Sequence, residues 1–156
     1  MIKVLFVCLG NICRSPLAQG IFENKIEIAG LSEHYYADSA GTSAWHRGEK
    51  PDKGSIHIAR VNHINIENQR SRPVVAADQN EFDYFIAMDD QNARSLINEF
   101  GVPKEKIFKL RNFDPEPENG NVPDPYGGGS DGFARVFQII DRSMLPFIEY
   151  LKNQNG

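Results

Sequence analysis

The sequence predicts an α/β fold: one domain over residues 1–156 in three layers, with four parallel strands between helices on both faces. Three observations predict it. Strand-like and helix-like segments alternate along the chain, which favours a mostly parallel sheet. The first strand-like run, Ile2–Val7, is apolar but for Lys3 and rich in β-branched residues, as in a strand buried on both faces. The chain has 156 residues, 40% apolar and 24% charged, which suits one hydrophobic core.

The elements follow in order. Ser15–Ala29 carries Leu17, Ala18, Ile21, Phe22 and Ile26 at helical spacing. Ser15 suits the cap of this helix, Pro16 its first position and Gly30 its end. Tyr35–Ser39 reads as a second strand and Gly54–His63 as a weaker helix. Phe82–Met88 reads as the third strand. Asp89–Phe100 reads as a helix stopped by Gly101 and Pro103. Lys106–Leu110 is the fourth strand. Arg111–Gly132 is a loop rich in Pro, Gly, Asn and Asp, and so long a loop in a small domain points to function. A last helix spans about Asp131 to Lys152, with Phe133, Val136, Phe137, Ile140, Met144, Phe147, Ile148 and Leu151 facing inward. Pro146 is expected to kink it or to split off its last turn.

The formal net charge of −4 argues against a general nucleic-acid binder, which needs a basic face. No apolar run has the length of a membrane span. The chain therefore reads as water-soluble and cytoplasmic, and with no apolar surface stripe it is expected to be a monomer. Its two cysteines, Cys8 and Cys13, are too few for a disulfide framework or for a zinc site without nearby histidines. No metal or other cofactor is expected.

In such sheets ligands bind beyond the carboxyl ends of the strands. The segment Cys8-Leu9-Gly10-Asn11-Ile12-Cys13-Arg14-Ser15 leaves the first strand at such an end and enters a helix. Gly10 and Asn11 tolerate positive φ, so the backbone can curl. A curled loop before a helix N-terminus aims several N–H groups at one spot, which favours an anion. Arg14 adds a planar, permanently charged fork that can hold two phosphate oxygens. The same positive setting favours the thiolate form of Cys8, and Ser15 can donate its hydroxyl to the sulfur. One loop can thus hold a phosphoryl group over an ionised nucleophile. A phosphate ester then needs a carboxylic acid opposite the sulfur to protonate its leaving group. The long loop offers two Asp-Pro pairs, Asp114-Pro115 and Asp124-Pro125, and periodicity does not choose between them.

These motifs, with Asp38-Ser39-Ala40-Gly41-Thr42, Trp45-His46, Met88-Asp89, Asn92 and Asp124-Pro125-Tyr126 in the same order, resemble the low-molecular-weight protein tyrosine phosphatase family across essentially the whole chain. The resemblance implies a flavodoxin-like sheet and hydrolysis of phosphotyrosine, in a protein or in a small aryl phosphate, through a cysteinyl-phosphate intermediate. It implies Cys8 as nucleophile, Arg14 as phosphate clamp and Asp124 as proton donor. It implies Leu9, Gly10, Asn11, Ile12, Cys13 and Ser15 around the substrate, with Leu9, Trp45 and Tyr126 walling an aromatic slot. Ser39 is expected to bond Asn11 and support the loop. Asp89 and Asn92 either support the site or cap a helix, and a cap is the expected reading. Relatives acting on phosphoarginine tend to carry Thr where this chain has Ile12, which points to phosphotyrosine. Cys13 is placed to form a reversible disulfide with Cys8.

The chain departs from the family pattern in two places. Gly127-Gly128-Gly129 replaces a second aromatic after Tyr126, so a looser acid loop is expected. Pro51-Asp52-Lys53-Gly54 replaces the usual Pro-Asp-Pro-Arg, which weakens the expected helix there. Two other functions share parts of this pattern. A thioredoxin-linked arsenate reductase needs further cysteines downstream, and none follows Cys13. A non-catalytic phosphate or phosphopeptide binder needs the loop and Arg14 but not Asp124.

Overall fold

The computed structural model describes residues 1–155; Gly156, the end of the expected domain, lies outside the described residues. The elements are β1 (Ile2–Cys8), α1 (Arg14–Ile28), β2 (Tyr35–Gly41), α2 (Lys53–Val61), the single turn α3 (Asp78–Glu81), β3 (Tyr84–Ala87), α4 (Asp90–Asn98), β4 (Ile107–Lys109) and α5 (Gly129–Asn155). Short 3₁₀ turns occupy Lys104–Lys106 and Leu110–Phe113. The sheet has four strands in the order β2-β1-β3-β4, all parallel.

The central strand β1 explains the layering. It pairs with β2 through Val4 opposite Ala37 and with β3 through Val4 opposite Tyr84. Its side chains alternate between faces. Val4, Phe6 and Cys8 join the larger core with Leu17, Ile21 and Phe22 of α1 and Phe137, Ile140 and Phe147 of α5. Leu5 and Val7 join the other core with Phe85 of β3 and Leu96 of α4. Phe6, Phe22 and Phe147 meet in tilted and edge-on pairs, with ring centroids 5.5–6.2 Å apart. Each such buried side chain contributes roughly 1.5–3 kcal/mol of burial energy.

Several boundaries differ from the expected ones. Helix α1 is preceded by Cys13, not capped by Ser15, whose hydroxyl is engaged elsewhere. The third strand is only Tyr84–Ala87, because Phe82 closes α3 through its N–H to Asp78 O. The fourth strand is only Ile107–Lys109, and α4 ends at Asn98, with Gly101 at φ 67° in the turn beyond. The Pro51-Asp52 departure does not cost the helix after it: Asp52 caps α2 by accepting from Gly54 N at 2.8 Å. Pro146 does not split α5, which is one helix from Gly129 to Asn155. Met144 before the proline and Phe147, Ile148 and Leu151 after it are all buried, so packing on both sides outweighs the lost backbone bond. Among the described residues no helix is long and apolar enough to cross a membrane.

Candidate active site

The loop between β1 and α1 is built by its carbonyls. Cys8 O accepts from Thr42 N (2.9 Å), Leu9 O from Ser43 N (3.0 Å) and Ile12 O from Asp52 N (2.7 Å). Gly10 O accepts from Ser71 Oγ (3.0 Å) and Cys13 O from Ser55 Oγ (3.1 Å). Five carbonyls are thus drawn outward by the surrounding segments. No peptide bond among the described residues is cis. In a trans peptide the N–H points opposite to the C=O, so the amides of Leu9, Gly10, Asn11, Cys13 and Arg14 turn toward the inside of the loop. The close approach of the loop to β2 also explains Gly41: a Cβ there would lie 2.7 Å from Leu9 O and 2.9 Å from Ser43 O.

Cys8 Sγ lies within this cradle, almost fully buried. Asn11 N donates to it at 3.3 Å, and Ser15 Oγ lies 3.1 Å away. Asn11 takes the positive φ (55°) that curls the loop, whereas Gly10 does not. Gly10 is small for a different reason: its Cβ would approach His46 Cδ2 to 3.0 Å. The Asn11 amide is fully used. Its Nδ2 donates to Ser15 Oγ (2.7 Å) and Ser39 Oγ (3.0 Å), and its Oδ1 accepts from Arg72 N (3.0 Å). Ser15 Oγ accepts from Asn11 Nδ2, which leaves its own proton free to point at Sγ. Burial pushes the Cys13 thiol far above its ordinary range, reinforced by the charges of Asp52, Cys8 and Asp124, so Cys13 stays a thiol.

Arg14, 3% exposed, is held by contacts within the protein. Its Nη1 donates to Asp89 Oδ2 (2.7 Å) and to Val122 O (3.0 Å). Burial opposes its charge, but the Cys8 sulfur, the Asp89 hydrogen bond and Asp124 outweigh burial and hold the guanidinium above its ordinary range. Asp89 is held in turn by a capping box at the start of α4: Asn92 N donates to Asp89 Oδ1 (2.8 Å) and Asp89 N to Asn92 Oδ1 (3.2 Å). Asn92 therefore touches the site only through Asp89, and Asp89 is both a helix cap and an anchor for Arg14.

The pocket above the loop has a volume of about 380 Å³. Cys8, Leu9, Gly10, Ile12, Cys13 and Arg14 line its floor, and Ser43, Trp45, His46, Asp124 and Tyr126 its walls. Trp45 is 85% exposed and Tyr126 62%, so both present free ring faces at the rim. The two Asp-Pro pairs separate cleanly. Asp124 Oδ2 lies 3.8 Å from Arg14 Nη2 on a side chain 47% exposed, while its Oδ1 accepts from Tyr126 N at 3.0 Å. The Asp114 side chain has no exposure and is paired with Arg142 through contacts of 3.0 and 2.8 Å. Burial raises the Asp114 carboxyl, but Arg142, the Glu116 N–H and Arg111 outweigh it and hold it below the usual range.

The pocket brings together the predicted Cys8, Leu9, Gly10, Ile12, Cys13, Arg14, Trp45, Asp124 and Tyr126. Asn11, Ser15 and Ser39 stand behind the loop, and Asp89 and Asn92 behind Arg14. Sequence reasoning missed His46, whose ring packs at a tilt against Tyr126 with centroids 6.0 Å apart; its place beside Trp45 was the available signal. It also missed Ser55, Ser71 and Arg72, whose distance in sequence from the loop gives no local signal. Among the described residues no group of three or more His, Cys, Asp or Glu side chains is placed to hold a metal ion.

The family model described as low molecular weight phosphotyrosine protein phosphatase matches residues 3–155. The chain is 40% identical over 146 residues to the low molecular weight phosphotyrosine protein phosphatase of Schizosaccharomyces pombe, covering 91% of this chain and 92% of the relative. It is 42% identical over 141 residues to the low molecular weight protein-tyrosine-phosphatase YfkJ of Bacillus subtilis, covering 90% and 89%. A crystal structure of a protein tyrosine phosphatase from Entamoeba histolytica, with Hepes in its active site, matches with a TM-score of 0.93 at 38% identity, covering 100% of both chains. With the cradle, the buried sulfur and the Asp-Pro loop in their places, the chain belongs to the low molecular weight phosphotyrosine protein phosphatase family.

Proposed function

We propose that this chain hydrolyses phosphotyrosine, and small aryl phosphates, in two steps on Cys8. The observation that carries this reading is the ring of outward carbonyls, which leaves inward amides and Arg14 around one buried sulfur. A phosphoryl dianion seated there meets the amides and the guanidinium on its equatorial oxygens, where charge develops in the transition state. Cys8 Sγ attacks phosphorus in line and the P–O bond breaks. Asp124 Oδ2 gives its proton to the phenolic oxygen, since Oδ1 is engaged by Tyr126 N. Asp124, now a carboxylate, takes a proton from the water that hydrolyses the cysteinyl phosphate. Ser15 Oγ, next to Sγ, stabilises the departing thiolate.

Trp45 and Tyr126 supply flat apolar faces for a phenyl ring, and Ile12 adds an apolar side chain to the lining. Those features favour an aromatic ester over a phosphoguanidinium group, which needs polar partners for its N–H groups. The natural substrate is a phosphotyrosine protein or a small aryl phosphate, and the chain acts as a cytoplasmic monomer. The test is para-nitrophenyl phosphate hydrolysis in the presence of EDTA. Wild-type turnover, none in Cys8→Ser, and phosphate binding retained by that variant are the expected results. A Cys8→Ser variant with undiminished turnover refutes the reading.

A further inference from the structure

The segment that carries Asp124 is tied down three residues before it. Asp90, the first residue of α4, accepts Lys109 Nζ on Oδ1 (2.6 Å) and Asn121 Nδ2 on Oδ2 (3.3 Å). Asp90 N donates to Asn121 Oδ1 (3.0 Å), and Lys109 Nζ reaches the same oxygen at 3.2 Å. Arg111 Nη1 donates to Asn121 O (2.8 Å). Every polar group of the Asn121 side chain is therefore engaged, across gaps of 31 and 12 residues in sequence. The next residue, Val122, is held on both sides: its N–H donates to Met88 O (2.8 Å), and its carbonyl accepts Arg14 Nη1.

The neighbours Met88, Asp89 and Asp90 thus refer both halves of the site to one point. Asp89 orients the phosphate clamp, Met88 O holds Val122, and Asp90 holds Asn121. Beyond them the chain is freer. Pro123, Asp124 and Tyr126 are exposed around a buried Pro125, and Gly127 and Gly129 follow at positive φ. Such a loop places its carboxyl by the geometry of its fixed end.

We infer that Asp90 and Asn121 are positioning residues for Asp124, anchoring the base of its loop in register with the Asp89–Arg14 pair. The inference rests on the reading of Asp124 as proton donor. Lys109 neutralises Asp90 within the tie, and the hydrogen bonds from Lys109 and Asn121 hold the Asp90 carboxyl below its ordinary range.

The experiment compares Asn121→Ala and Asp90→Ala, each in the wild-type chain and in an Asp124→Asn background, on phenyl phosphate and para-nitrophenyl phosphate. Phenolate is the poorer leaving group and depends more on proton donation. In the wild-type chain Asn121→Ala is expected to lower kcat on phenyl phosphate about 10-fold, with a smaller loss on para-nitrophenyl phosphate and KM within about twofold. Asp90→Ala, which keeps the backbone bond to Asn121, gives the same pattern at smaller size. In the Asp124→Asn background neither change is expected to cost further turnover, since both act through Asp124. Equal losses in both backgrounds, equal losses on both esters, or no loss at all would overturn the tie. Undiminished turnover in Asp124→Asn alone would overturn the proton-donor reading and the tie with it. Thermal melts check folding, and exposed Asp90→Ala carries the test if Asn121→Ala does not fold.

Discussion

Asp124 and Asp114, each followed by proline in the same loop, take opposite places: one opens onto the pocket 3.8 Å from Arg14, and the other is sealed against Arg142. Only the first has a carboxyl that a substrate can reach. Asp124→Asn is expected to lower kcat on aryl phosphates about 10²–10⁴-fold, the usual size of proton-transfer catalysis. Steady-state kinetics check this, and activity equal to wild type would reject the assignment.

Asp114 belongs to stability instead. Its folded carboxyl is held below its ordinary value, so its contribution is complete above that value, about 3.9, and fades as pH falls through the lower folded one. Asp114→Asn leaves buried Arg111 short of a partner and is expected to cost about 3–5 kcal/mol at neutral pH. Urea unfolding at pH 7 and pH 3 measures it, and the gap between wild type and variant narrows at the lower pH.

Arg14 donates from Nη1 to two acceptors at once, and Nη2 faces Asp124. A lysine ammonium cannot reproduce that fork. Arg14→Lys is therefore expected to lower kcat/KM about 10²-fold or more, by analogy with loss of one charge-stabilising donor. A loss confined to a few-fold would show that charge alone suffices.

Gly41 lies under the phosphate loop with no room for a methyl group. The atoms in the way are backbone carbonyls, so Gly41→Ala has to displace the loop itself. Displacement on the order of 1 Å is expected to cost about 10²-fold in kcat/KM. Overpacking is expected to cost about 1–3 kcal/mol of stability. Kinetics and denaturant unfolding of this one variant check both.

Peroxide is expected to join Cys8 and Cys13, neighbours on one curled loop, into a disulfide that dithiothreitol reverses. Mass spectrometry of the peptide holding both residues is expected to show the loss of two hydrogens. Oxidation that stops only at sulfinic or sulfonic Cys8 excludes this protection.

Much of this was legible in the sequence because the decisive signals are local. The apolar run Val4–Val7 of β1, the spacing of Phe133 to Leu151 and the eight residues from Cys8 to Ser15 each carry their own pattern. What was not legible depends on tertiary contact. Ser15 reads as a cap, and only the fold places Sγ and Asn11 within its reach. Pro146 reads as a break, and only the packing of α5 overrides it. Ser55, Ser71 and Arg72 are silent in sequence, since they act on the loop from 42 to 61 residues away.

The anchoring of Arg14 by the protein itself has a consequence for turnover. Asp89 and Val122 hold the guanidinium through contacts within the protein, so ordering it adds little to the cost of binding a tetrahedral anion. The seat does not distinguish an ester from the free ion it releases. Inorganic phosphate is then expected to compete with the ester for one seat, so that rising product slows turnover without any second site.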